Sequence, residues 1–178
     1  KIILGGPHAT MVGATSEKGR GAFAYNQMRQ IFDTIVLGDG ENAILEAIKD
    51  NTPKIIDASF QNSPYYLKRG SLEKYPFPAR EMIDIESYHY KIDGVDAQSL
   101  IAQLGCPFEC GFCGGRNTHA YRVARTRSIE SIIEEVNILV HKYNKKGIMF
   151  YDDELNVNNK SLMELLIGLT KYQQDNRL

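Results

Sequence analysis

Cysteine is scarce, and its placement excludes more than its number. Only three are present, all between Cys106 and Cys113, an odd and tightly clustered set that cannot frame a disulfide-stapled fold. Such a cluster reads as a metal site in a reducing compartment. Long apolar runs are missing too: nothing approaches the roughly 18 residues of a membrane span, and no charged start followed by an apolar region marks a signal peptide. A cytoplasmic protein without a membrane partner is therefore expected. No charge of one sign dominates, with 21 Lys and Arg against 22 Asp and Glu and a formal net charge of -1. General attraction to nucleic acid or anionic lipid is thereby excluded. There is no internal repeat, no low-complexity tract and no initiating Met, and the opening on Lys1-Ile2-Ile3-Leu4 suggests a fragment of a longer protein. With 178 residues, 43% of them hydrophobic, the chain has material for one ordinary core or two small ones.

What is present begins as an alternation of short apolar strands and helices up to about Asp50. Ile2–Leu4 reads as a buried strand ending at the turn Gly5-Gly6-Pro7, with His8 a turn residue. A helix over 22–32 follows, its apolar face formed by Phe23, Met28, Ile31 and Phe32, and then a second buried strand, Thr34–Leu37. Gly38-Asp39-Gly40-Glu41 ends that strand, and Ala43, Ile44, Ala47 and Ile48 recur at helical spacing. From Pro53 to about Asp96 no period is sustained. That stretch reads as a linker with a small hairpin of Lys54–Ala58 and Tyr65–Lys68, and Tyr75 to Arg80 should be extended because the residue before each proline is pushed out of the helical region.

The last segment is the most regular. Ser99–Leu104 reads as a strand running into the cysteine loop, and Ser128 caps a helix to about Lys145. The stripe of that helix is Ile129, Ile132, Ile133, Val136, Leu139, Val140 and Tyr143, with Glu130, Glu134 and Glu135 early as the macrodipole favours. Gly147 should end it. Ile148–Tyr151 is the next strand, Asp152-Asp153-Glu154 its polar end, and Ser161 opens another helix. Strand, helix, strand, helix implies a parallel sheet or barrel.

Cys106-Pro107-Phe108-Glu109-Cys110-Gly111-Phe112-Cys113 offers three thiols on one tight loop. Cubane iron-sulfur clusters normally take four cysteines, so three leave one iron open. This spacing resembles the radical S-adenosylmethionine superfamily. The resemblance implies a [4Fe-4S] cluster on Cys106, Cys110 and Cys113, S-adenosylmethionine on the open iron, and Phe112 packed near the adenine. One electron would cleave the cofactor to a 5'-deoxyadenosyl radical that abstracts hydrogen from an unactivated carbon, chemistry no side chain performs. An electron donor such as flavodoxin or ferredoxin and a small-molecule substrate are the implied partners. Asp152, Asp153 and Glu154 match in position the short motif that receives the amino group of S-adenosylmethionine, with Asp-Asp-Glu in place of Gly-Gly-Glu; alternatively they only end a strand before a helix. Arg122, Arg125 and Arg127 are either binders of a carboxylate or anionic substrate, or a solvated loop. A structural zinc on Cys106, Cys110, Cys113 and His119 is the competing account of the thiols.

Ile3 to Thr10 and Asp33 to Glu41 together resemble the second half of the cobalamin-binding domain that precedes many radical S-adenosylmethionine barrels. On that resemblance Gly5 and Gly6, with Gly38 and Gly40, would line the groove for cobalamin, and Pro76 to Arg80 would lead into the barrel. The implied chain is α/β: residues 1–52 the C-terminal part of a doubly wound, Rossmann-like cobalamin domain, 53–96 a linker, and 97–178 the first βα units of a partial TIM barrel. Cobalamin-dependent methyl transfer to an unactivated carbon is the implied reaction. The alternatives are ring formation or rearrangement without methyl transfer, and a non-catalytic zinc-binding or structural domain.

Overall fold

In the computed structural model, residues 1–177 are described, and the chain divides into two compact units. The first joins Lys1–Arg69 to Gly105–Ala124; the second joins Gly70–Leu104 to the residues from Arg125 onward. Five α-helices lie among the described residues, and none is long and apolar enough to cross a membrane.

The first unit holds β1 (Ile3–Leu4), α1 (Gly6–Ala14), α2 (Gly19–Ile31), β2 (Thr34–Gly38), α3 (Gly40–Ala47) and β3 (Ile55–Ala58). The strands are all parallel in the order β1-β2-β3. Thr34 to Leu37 of β2 are buried without alternation because both faces of the strand are covered, as parallel strands between helices require. Val36 packs with Ala43 and Ala47 of α3, while Ile35 and Leu37 pack with Ala9 of α1 and Met28 of α2. This is an α/β layer arrangement compatible with a Rossmann-like fold.

Three sequence expectations change here. Lys54–Ala58 is not half of a hairpin: Ile55–Ala58 extends the parallel sheet, pairing Ile35 with Ile55 and Gly38 with Ala58, while Tyr65–Lys68 forms no strand. The edge of β2 gives these residues a full ladder, which a short isolated hairpin does not. The Gly5-Gly6-Pro7 turn opens directly into α1, so His8 is helical and exposed. Of the face expected on α2, Met28 is buried, whereas Phe23 and Ile31 are exposed.

The second unit holds β4 (Lys91–Ile92), β5 (Val95–Leu100), β6 (Gln103–Leu104), β7 (Arg125–Thr126), α4 (Ile129–His141), β8 (Gly147–Phe150) and α5 (Asn159–Asn176). β4 and β5 form a hairpin across Asp93 and Gly94, both at positive φ (48° and 79°), as the Asp-Gly turn favours. β5 pairs in parallel with β8 through the α4 crossover. Ser128 caps α4, its hydroxyl accepting from the Ser131 amide at 3.2 Å. Leu100, Ala102, Ile132, Val136, Leu139, Val140 and Leu165 make the core. Asn144 (φ 51°), not Gly147, takes the left-handed position after α4. Gly147 instead begins β8, where a Cβ would lie 2.7 Å from the Ala97 Cβ. Asn158 rather than Ser161 caps α5. The expected strand into the cysteine loop is interrupted at Ile101 and Ala102, which belong to neither β5 nor β6.

Candidate functional site: the cysteine loop and the segment that leads into it

The loop Gly105–Ala124 is fastened at its neck. Gly105 has φ +82°, and a Cβ there would stand 2.3 Å from the Val123 carbonyl oxygen, so only glycine allows the two chain ends this approach. The Cys106 amide donates to the Tyr121 carbonyl at 2.8 Å. The Arg122 guanidinium donates to the carbonyls of Pro107 and Phe108 and, at 3.1 Å, to the Glu109 carboxylate. Arg116 donates to the Gly111 carbonyl at 2.6 Å, and a turn closes from the Cys113 amide to the Cys110 carbonyl at 3.0 Å. Arg122, read from sequence as either a binder of an anion or part of a solvated loop, is spent on shaping the loop. A planar fork with several donors suits this gathering of carbonyls.

All three thiols are free; Cys106 is half-buried, Cys110 and Cys113 are exposed. Among the described residues no group of three or more His, Cys, Asp or Glu side chains is drawn together as a metal site. The fit to a cluster lies in the donor set: three uncommitted thiols on one loop with a fixed neck, two of them open to an incoming ligand. Phe112, 93% exposed, stands beside Cys113 with its ring uncovered. His119 is turned to aromatic neighbours, its ring stacked on Phe60 with centroids 6.0 Å apart and tilted against Tyr66 at 6.4 Å.

The glycines of the first unit differ from one another. A Cβ on Gly6 or Gly40 would meet nothing within 4 Å, and one on Gly5 would meet only Val36 at 3.8 Å. These positions, at the carboxyl ends of β1 and β2, leave backbone open where parallel sheets commonly receive ligands. Gly38 is otherwise: at φ +82° its Cβ would sit 2.6 Å from the Ala58 carbonyl carbon and the Ser59 nitrogen. The contact of β2 with the end of β3 accounts for Gly38 without any ligand. Asp39 is buried and accepts from the Leu67 amide at 3.2 Å.

In the second unit the interrupted strand is held by charged side chains. Arg80 donates to the Ser99 carbonyl at 3.1 Å and Arg127 to the Ile101 carbonyl at 2.9 Å. The Asp152 carboxylate accepts from two successive amides, Ala102 at 3.3 Å through Oδ2 and Gln103 through Oδ1. Gln103 in turn donates to the Glu154 carbonyl at 2.6 Å and accepts from Thr126 at 3.0 Å. Burial pushes the Asp152 carboxyl above its ordinary value and the Asp153 charge adds to the rise, while the two amide bonds and Arg127 oppose it. Glu135, read from sequence as one of the acids early in α4, is buried between Arg80 at 2.6 Å and Arg127 at 2.5 Å. Its signal in the sequence was its register, since it lies on the same helical face as Ile132 and Leu139. Arg125 is also buried.

No family model and no solved structure matches the chain. It is similar to an uncharacterized methyltransferase of Pyrococcus horikoshii, 28% identical over 98% of this chain and 38% of that protein. It is 34% identical to the bacteriochlorophyllide d C-8(2)-methyltransferase of Chlorobaculum tepidum over 43% of this chain and 18% of that one. The hopanoid C-2 methylase of Rhodopseudomonas palustris is 27% identical over 56% of this chain and 18% of its own length. The chain thus spans well under half of the relatives it matches.

Proposed function

We propose that the chain is part of a radical S-adenosylmethionine methyltransferase that acts with cobalamin on an unactivated carbon. The observation that carries this reading is the three free thiols of Cys106, Cys110 and Cys113 on one loop with a fixed neck. Likeness to proteins named as methylases and methyltransferases at numbered carbon positions supports the methyl-transfer half. When bound, a cubane cluster of three thiolate ligands supplies the electron and the open iron for reductive cleavage of S-adenosylmethionine.

The chain's own residues have separable tasks. Cys106, Cys110 and Cys113 ligate iron as thiolates; Arg122 and Arg116 hold the loop carbonyls so that the thiols lose little freedom on ligation. Phe112 offers an uncovered ring for the adenine. Asp153 and Glu154 are the candidates for the amino group of S-adenosylmethionine. Gly5, Gly6 and Gly40 leave open backbone for the nucleotide tail of cobalamin. A small-molecule substrate, an electron donor of the flavodoxin or ferredoxin kind, and a cytoplasmic setting belong to the same proposal.

The test is turnover by the full-length protein under anaerobic reduction. Release of 5'-deoxyadenosine with a product heavier by one methylene unit supports the reading. A product of unchanged or dehydrogenated skeleton removes methyl transfer, and no 5'-deoxyadenosine at all removes the radical chemistry.

A further inference from the structure

The chain does not cross directly from strand to cysteine loop. Between β5 and β6 the ladder is interrupted, and the backbone groups of Ile101 and Ala102 would be left to water were nothing else to take them. Instead, successive groups are taken by side chains or by the ends of neighbouring elements. The Ser99 carbonyl takes Arg80, the Leu100 carbonyl takes the Tyr151 amide at 2.9 Å, and the Ile101 carbonyl takes Arg127. Ala102 gives its amide to Asp152 and receives the Arg127 amide at 2.9 Å; Gln103 gives its amide to the second Asp152 oxygen. Both carboxylate oxygens of Asp152 are therefore engaged by backbone immediately before Leu104 and Gly105. An ionised acceptor makes such bonds roughly twice as strong as neutral ones.

We propose that Asp152 is a positioning residue, which fixes the root of the cysteine loop by accepting the Ala102 and Gln103 amides, and that it does not itself contact S-adenosylmethionine. This deepens the function proposed above by dividing the acidic triplet: Asp152 serves the backbone, and Asp153 and Glu154 remain the candidates for the cofactor. Asp152→Asn is nearly isosteric but exchanges one acceptor oxygen for an amide donor, which cannot take the second N–H.

Amide hydrogen exchange in the full-length protein without cofactors tests the contact itself. Asp152→Asn speeds exchange by about tenfold or more at whichever of the Ala102 and Gln103 amides loses its acceptor oxygen, the factor for losing a bond to a charged acceptor, while Asp153→Asn leaves both amides protected. Unchanged exchange in Asp152→Asn overturns the proposal. After anaerobic reconstitution, Asp152→Asn retains iron about tenfold more weakly, the scale for groups behind metal ligands. The iron that remains still changes its electron paramagnetic resonance signal on addition of S-adenosylmethionine. Full iron with no response to S-adenosylmethionine shows direct contact and overturns it. Asp152→Glu keeps charge and both acceptor oxygens and is expected to restore protection in part, so it decides the matter should the Asn variant not fold. Absence of a cluster in the unaltered protein would refute the functional reading alone, because the exchange arm needs no iron.

Discussion

Arg80 Nη2 lies 2.6 Å from Glu135 Oε1, with both side chains almost wholly buried, so a segment ahead of β5 is tied by charge to the middle of α4. The other Glu135 oxygen meets Arg127 at 2.5 Å. Removing one member of a buried ion group strands the rest in a poorly solvating interior, which typically costs about 3 to 5 kcal/mol. Glu135→Gln leaves two guanidinium groups without their shared counter-charge and is expected to lower stability by about 3 kcal/mol or more in denaturant unfolding. A loss below about 1 kcal/mol would place the pair among weak surface bridges.

Gly38 and Gly40 are two residues apart and make opposite predictions. At Gly38 a methyl group collides with backbone atoms at 2.6 Å in a left-handed conformation. Gly38→Ala should therefore destabilise the protein by about 2 kcal/mol or more, as backbone clashes and left-handed strain do. Gly40 is the first residue of α3, and a Cβ there meets open space. Gly40→Ala should change stability by less than about 0.5 kcal/mol and, on the proposed function, weaken cobalamin retention. Thermal unfolding and bound cobalamin after reconstitution separate the two, and equal stability losses would contradict the distinction.

Asp152 gives a pH dependence of unusual sign. Its folded value is raised above 3.8, chiefly by burial, so in that window the folded protein binds more protons than the unfolded chain. The contribution of this group is therefore greatest below 3.8 and is lost as pH rises through the raised value. Unfolding followed across that range should show Asp152→Asn with a more positive slope of stability against pH than the unaltered protein. Superimposable slopes would contradict the shift.

Much of the arrangement was legible in the residues themselves. The run Thr34–Leu37 and the stripe of α4 gave their elements because apolar periodicity follows directly from which faces are covered. The Ser128 cap was readable because a hydroxyl before a helical stripe answers the open amides. Ile55–Ala58 was misread because a four-residue strand carries no mark of whether its partner is local or far along the chain. The cysteine spacing stood out; the support behind it did not. Arg122 and Asp152 satisfy backbone groups of residues Pro107, Phe108, Ala102 and Gln103, and such service leaves no pattern in a single sequence.

The ligation of iron by three thiols is tested most directly by iron and sulfide analysis of the full-length protein after anaerobic reconstitution, with and without each cysteine. The expected result is about four irons and four sulfides per chain, lost when Cys106, Cys110 or Cys113 is changed to Ala. Because Cys110 and Cys113 are exposed, their replacement should leave thermal unfolding of the protein without cluster nearly unchanged. A single tightly bound zinc in the anaerobically purified protein, or a full complement of iron in any of the three Ala variants, would contradict it.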